Sequence, residues 1–186
     1  MQNTKHDNEE RLLIADCVKN NAKAQRAFYE RYYRKMYVVA LRYSKTTFEA
    51  EDILQESFIK IFQNIKDFAF ESSLDYWVKR IVINTALKQN RKALEKMQMD
   101  DVNEMYDEPI EDVILSKYNF QELLKMIQQL SSGYQMVFNL YAIEGYKHNE
   151  IAEMLGISEG TSKSQYARAK ALIQKMLEKE EARVNA

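Results

Sequence analysis

An all-α fold, two helical domains joined by a flexible acidic linker, follows from three features of this sequence. Glycine and proline are scarce, with Gly 4 and Pro 1 in 186 residues, so long helices with few tight turns are the natural class. Apolar residues recur at spacings of three and four through most of the chain, the period of a helix with one buried face. Charge is also segregated. Residues 1–92 hold 17 Lys+Arg against 12 Asp+Glu (net +5), residues 93–115 hold 1 against 8 (net −7), and residues 116–186 hold 9 against 8 (net +1). The formal net charge of −1 therefore conceals a basic N-terminal body, an acidic connector and a near-neutral C-terminal body.

The first eleven residues are polar, lack the apolar core of a signal peptide, and are expected as a disordered tail. No apolar run is long enough to span a bilayer, and a cytoplasmic location is expected. The N-terminal domain is assigned to 12–92. It opens with a short helix from Leu12 to Lys19, in which Cys17 reads as a small core residue; as the single cysteine it forms no intramolecular disulfide. From Ala22 to Tyr43, Phe28, Tyr32, Met36, Val39 and Tyr43 form an amphipathic stripe, while Arg26, Arg31, Arg34, Lys35 and Arg42 lie mostly on other faces. A third helix, Phe48 to Ile65, buries Ile53, Phe58, Ile61, Phe62 and Ile65. Its first half is acidic, which helix capping alone would explain. Asp52, Gln55 and Glu56, however, share a face beyond the first turn, as docking against a basic helix requires.

The loop Lys66 to Tyr76 is rich in Phe and Ser, and a helix from Trp77 to Lys92 follows, with Trp77, Ile81 and Leu87 inward. Lys79, Arg80, Asn84, Lys88, Arg91 and Lys92 give that helix a basic, amide-bearing flank. Aromatics and hydroxyls beside such a helix suit single-stranded nucleic acid, since bases stack while cations meet phosphates. An ordinary solvated helix carries the same composition. The linker, 93–115, is acidic and poorly periodic, contains Pro109, and is expected to be flexible.

The C-terminal domain, 116–186, begins with a helix from Ser116 to Leu130 carrying Tyr118, Leu123, Ile127 and Leu130. A second, Tyr134 to Ile143, carries Val137, Phe138 and Tyr141. The stretch HNEIAEMLGISEGTSKSQYARAK, His148 to Lys170, then reads as a helix-turn-helix. Gly156 stands where the chain must leave the first helix, often at positive φ, and Ser158 caps the second. Ser162, Tyr166, Ala169, Ile173 and Met176 face inward, leaving Thr161, Lys163, Ser164, Gln165, Arg168 and Lys170 outside. Small, polar and basic residues on an outward helix suit a DNA major groove. A helical hairpin with a solvated face is the plainer alternative.

Taken in order, AEDILQESFIKIF, then DF…ESSLDYWVKRIVINTA, then LYAIEGYKHNEIAEMLGISEGTSKSQYARAK resemble an RNA polymerase sigma factor of the extracytoplasmic-function (ECF) type. The resemblance runs from about residue 12 to residue 178. It implies a transcription initiation factor that binds core RNA polymerase, reads promoter DNA at two elements and assists melting. By match, Asp52, Leu54, Gln55, Glu56 and Phe58 would dock on the clamp helices of the largest polymerase subunit. Phe68, Ser72, Ser73, Tyr76, Trp77, Lys79, Arg80, Asn84 and Lys88 would meet the minus-ten element and hold a flipped base. Ser158, Thr161, Lys163, Ser164, Gln165, Arg168 and Lys170 would meet the minus-thirty-five element. The linker would thread the polymerase cleft, the C-terminal domain would reach the flap region, and an anti-sigma factor, often membrane-bound, would mask these surfaces.

Three departures stand out. Ser162 occupies a buried position where the family usually has a branched apolar residue, Gln165 stands where arginine is common, and the usual proline near Ser131 and Ser132 is absent. No Cys/His metal constellation, phosphate-binding glycine loop or nucleophile motif is present, so neither an enzyme, a cofactor nor a small-molecule substrate is expected. A stand-alone helix-turn-helix regulator and a helical interaction protein are the competing readings. With a net charge of +1, the last domain has little charge for binding DNA unaided.

Overall fold

The structure, a computed structural model, describes residues 2–91 and 120–184. The acidic linker, Tyr118 and the first turn of the helix expected from Ser116 lie outside the described residues. The chain divides into two compact units, 1–86 and 87–186. Every regular element among the described residues is helical.

The first unit is built from α1 (Gln2–Val18), α2 (Ala22–Arg42), α3 (Thr47–Asn64), a 3-10 turn (Ile65–Asp67) and all but the last three residues of α4 (Leu74–Gln89). Local chemistry sets the starts. Asn21 caps α2, its Oδ1 accepting from the backbone N–H groups of Lys23 (3.0 Å) and Ala24 (3.2 Å). Thr46 caps α3 through Glu49 N–H (3.1 Å), and the Glu49 carboxylate returns to Lys45 N–H (2.7 Å). Phe28, Tyr32, Met36 and Val39 of α2 are buried, as are Ile53, Leu54, Phe58 and Ile61 of α3. Each such side chain contributes about 1.5–3 kcal/mol over leaving it exposed.

Two expectations are corrected here. The helix begins at Gln2 instead of Leu12, so residues 2–11 are helical where a tail is expected, and α1 packs on α2 and on the 3-10 turn. Ile14 and Cys17 bury its inner face, and Glu10 pairs with Arg31 of α2 at 3.3 Å. Once that face is docked, extending the helix outward costs little, since propagation is easier than nucleation. In α4, the start lies at Leu74 because Ser73 caps it. Its Oγ accepts from Tyr76 N–H (3.2 Å) and its carbonyl from Trp77 N–H (3.1 Å). That phase drives Leu74, Val78 and Val82 inward with Leu87, and leaves Trp77 and Ile81 half-buried at the edge.

The second unit contains α5 (Phe120–Gln129), α6 (Ser132–Phe138), a π turn (Asn139–Ile143), α7 (His148–Leu155) and α8 (Glu159–Val184). Met126, Ile127, Leu130, Phe138, Ala169, Ile173 and Leu177 make its core. Ser131 opens α6, its carbonyl accepting from Gln135 N–H at 2.9 Å. The π turn widens the helix where Glu144 N–H donates to the Asn139 carbonyl (2.9 Å), and Asn139 Nδ2 donates to the Gln135 carbonyl (2.8 Å).

Candidate functional site

The α7–α8 pair has the geometry of a helix-turn-helix. Gly156 ends α7 at φ +68°, a left-handed conformation open to glycine without a steric cost. Ser158 caps α8, its Oγ accepting from Thr161 N–H at 2.9 Å. Ser158 and Lys163 are exposed; Thr161, Ser164 and Arg168 are half-buried. Lys163 pairs with Glu159 at 2.7 Å, and Ser164 Oγ donates to the Thr161 carbonyl at 3.1 Å. Gln165 and Lys170 are corrected: at 3% and 7% exposure they are buried. The buried row of α8 runs through 162, 165, 169, 173 and 177, and it carries Gln165 inward.

Ser162 is fully buried, and its Oγ lies 3.0 Å from His148 Nδ1 of α7. The imidazole stacks on Tyr141 (4.3 Å, 13°), and Tyr141 packs on Tyr166 at 4.4 Å. Burial, then the neighbouring Lys163 cation, pushes the His148 pKa down, with Glu159 acting the other way. The serine that departs from the expected apolar residue is thus matched by a polar partner on the facing helix.

The second site lies where α1, α2 and the loop 68–73 meet the start of α4. A cleft of about 340 Å³ is lined by Glu10, Arg11, Arg31, Phe70, Ser72, Ser73, Leu74 and Asp75. Beside it, Lys35 pairs with Asp75 at 3.0 Å, and the Tyr32 hydroxyl donates to Asp75 Oδ2 at 3.5 Å. Burial, more than Asp75, raises the Tyr32 phenol above its usual range. Ser72, Ser73, Tyr76, Arg80, Asn84 and Lys88 are exposed, with Trp77 and Lys79 half-buried. Phe68 is buried, a correction to its place on an open surface. It forms the floor for Phe70 (4.7 Å) and Trp77 (5.4 Å). Phe70 itself has φ +58°, unusual for a bulky side chain and costing about 1–3 kcal/mol.

On α3, Asp52 and Gln55 are exposed and Glu56 is half-buried, held by Lys60 at 2.7 Å. Lys60 Nζ also donates to Thr85 Oγ1 of α4 at 3.1 Å. Leu54 and Phe58 are buried, so they anchor the helix and take no part in its open face. Phe58 lies 4.6 Å from Tyr29 of α2. The open row is Phe48, Asp52, Gln55 and Ile59, with Phe48 70% and Ile59 58% exposed.

Both units match known sequence families. Residues 28–94 match the family described as Sigma-70 region 2, and residues 120–173 match Sigma-70, region 4, together more than half of the chain. The chain belongs to the sigma-70 family. Its relatives place it in the ECF type. The ECF RNA polymerase sigma factor SigM of Mycobacterium tuberculosis is 26% identical over 175 residues, covering 93% of this chain and 87% of that protein. ECF RNA polymerase sigma factor SigW of Bacillus subtilis is 28% identical over 158 residues, covering 78% and 84%. Among solved structures, the sigma factor RpoE from Bartonella quintana, in complex with the anti-sigma factor NepR, shares the fold at TM-score 0.52 and 23% identity, covering 82% of this chain and 96% of that one. The sigma-70 family is not a family of enzymes in general. No helix among the described residues is long and apolar enough to cross a membrane.

Against the sigma-70 frame, two groups of residues at these sites escaped the sequence reading. Glu10 and Arg11 lie on α1, outside the residues that match the family, in a stretch with no apolar pattern before Leu12. Phe48 and Ile59 were hidden because an apolar residue on an amphipathic helix normally reads as core; their step from the buried row at Ile53, Phe58 and Ile61 was the available signal. Burial pushes the Cys17 thiol up to about 11, which leaves it a packing residue.

Proposed function

We propose that this chain is a transcription initiation factor that binds core RNA polymerase, reads promoter DNA through its two units and assists melting. The observation that carries this reading is the order of parts: a sigma-70 region 2 with an open α3 face carrying Asp52 and Gln55 and a cleft of about 340 Å³ at the start of α4, followed by a region 4 ending in a helix-turn-helix. In this reading 12–92 serves core and minus-ten binding, 93–115 is the connecting thread, and 116–186 serves minus-thirty-five binding and reaches the flap region.

Asp52, Gln55 and Glu56 dock on the clamp helices of the largest subunit, with Ile59 supplying apolar area. Ser72, Ser73, Tyr76 and Asn84 present hydroxyls, a ring and an amide to the minus-ten strand, while Lys79, Arg80 and Lys88 meet phosphates; Trp77 packs behind them. Extruding a base costs a few kcal/mol, which a shaped cleft with hydrogen-bond donors offsets. Thr161, Lys163, Ser164 and Arg168 face the major groove, and Ser158 lies near the backbone. The protein works in the cytoplasm and catalyses no reaction itself. An anti-sigma factor is its regulatory partner, as RpoE of Bartonella quintana has NepR.

Run-off transcription with purified core enzyme and genomic fragments tests this. Discrete transcripts that need the chain are expected; no binding to core and no transcript would refute it. A stand-alone regulator is less favoured because residues 116–186, which carry the helix-turn-helix, have a net charge of only +1.

A further inference from the structure

We propose that Arg11 is a positioning residue for the cleft beside the loop 68–73: its guanidinium, carried on α1, holds Phe70 in its left-handed conformation and so keeps the cleft in shape before an unstacked base enters. The proposal rests on reading this cleft as the minus-ten site. Four observations lead to it. Phe70 has φ +58°, a conformation open to glycine without penalty but strained for an aromatic residue, so something around it must hold it there. The Arg11 guanidinium carbon sits 4.3 Å from the centroid of the Phe70 ring, within cation–π range, and Phe68 packs on the same ring at 4.7 Å. The helix that carries Arg11 is anchored, because Ile14 and Cys17 bury the inner face of α1 and Glu10 pairs with Arg31. Both Arg11 and Phe70 line the cleft. A loop already ordered before binding loses less freedom on taking up its ligand, which is what a pocket for an extruded base needs. The N-terminal helix, outside the residues that match region 2, thereby becomes part of the melting apparatus.

The test uses the full chain with core polymerase and a promoter carrying a fluorescent base analogue at the extruded position. Arg11→Ala is expected to slow promoter opening about three- to tenfold, with core affinity and the melting temperature of the free protein unchanged. Arg11→Lys should recover most of the rate, because an ammonium also attracts the ring. Phe70→Gly removes the ring that Arg11 grips and frees the backbone at this position, so the loop loses its ordered conformation. It should show a similar defect, to which Arg11→Ala adds nothing. Wild-type opening by Arg11→Ala, or additive defects in the double variant, would overturn the proposal. So would a defect confined to core affinity, since α1 would then be touching polymerase. Ser72→Ala with Asn84→Ala separates the two levels: if that pair impairs opening while Arg11→Ala is silent, only the positioning role is lost. If the pair is silent too, the cleft is not the base site and both fall.

Discussion

Ser162 shows how one residue is made tolerable by another. A hydroxyl on the buried side of α8 needs a partner, and His148 Nδ1 supplies it at 3.0 Å. Ser162→Ala should cost about 1 kcal/mol in chemical denaturation of the second unit. The pH dependence follows in sign. Burial and Lys163 depress the folded-state pKa of His148 despite Glu159, whereas the unfolded residue titrates at about 6.5. The unfolded state then binds the proton more readily. The stability is therefore fully present above pH about 6.5 and is lost as pH falls toward the depressed folded value. Thermal melts at several pH values should show this slope flattened in His148→Gln; an unchanged slope would assign the titration elsewhere. Arg168→Ala, at a half-buried position facing the proposed groove, should lower promoter use about tenfold in run-off assays. Gln165→Ala should instead lower stability, because that side chain is buried. Gly156 and Ser158 were legible from sequence because each acts within a few residues of itself. Gln165 was not, since the inward row of α8 is set by packing in a core that includes Phe138 and Leu130, far from it in sequence.

Whole elements were legible where an apolar stripe marks them and obscure where a distant contact does. The stripe of α2 places Phe28, Tyr32, Met36 and Val39 in the core as its spacing predicts. The first turns of α1 carry no stripe; Glu10 is tied down by Arg31, a residue far away in the chain. The start of α4 was missed because Ser73 read as loop composition when it is a cap. On α3 two kinds of residue share one helix, and substitutions should separate them. Leu54→Ala or Phe58→Ala should cost about 2–5 kcal/mol of stability, measured by urea unfolding, because both are buried. Asp52→Lys with Gln55→Lys should leave the melting temperature nearly unchanged and weaken core binding, measured by fluorescence anisotropy. Undiminished affinity would place the docking face elsewhere.

For the whole molecule, the charge pattern matters more than its sum. In the proposed function the basic first body meets single-stranded DNA, while the second body, residues 116–186 at a net of +1, chooses a site without the charge to hold it. Two weak readings joined on one polymerase gain strength through effective concentration, with no new contact needed. The helix-turn-helix was legible from its punctuation, whereas the proposal that it depends on a partner rests on weighing its charge against that of the first body. The most direct measurement is the affinity of this chain for a duplex promoter carrying both elements, alone and with core polymerase, at physiological salt. The account predicts weak, salt-sensitive binding alone and tight, promoter-specific binding with core. Tight binding alone, as a symmetric dimer on a palindrome and indifferent to core, would contradict it.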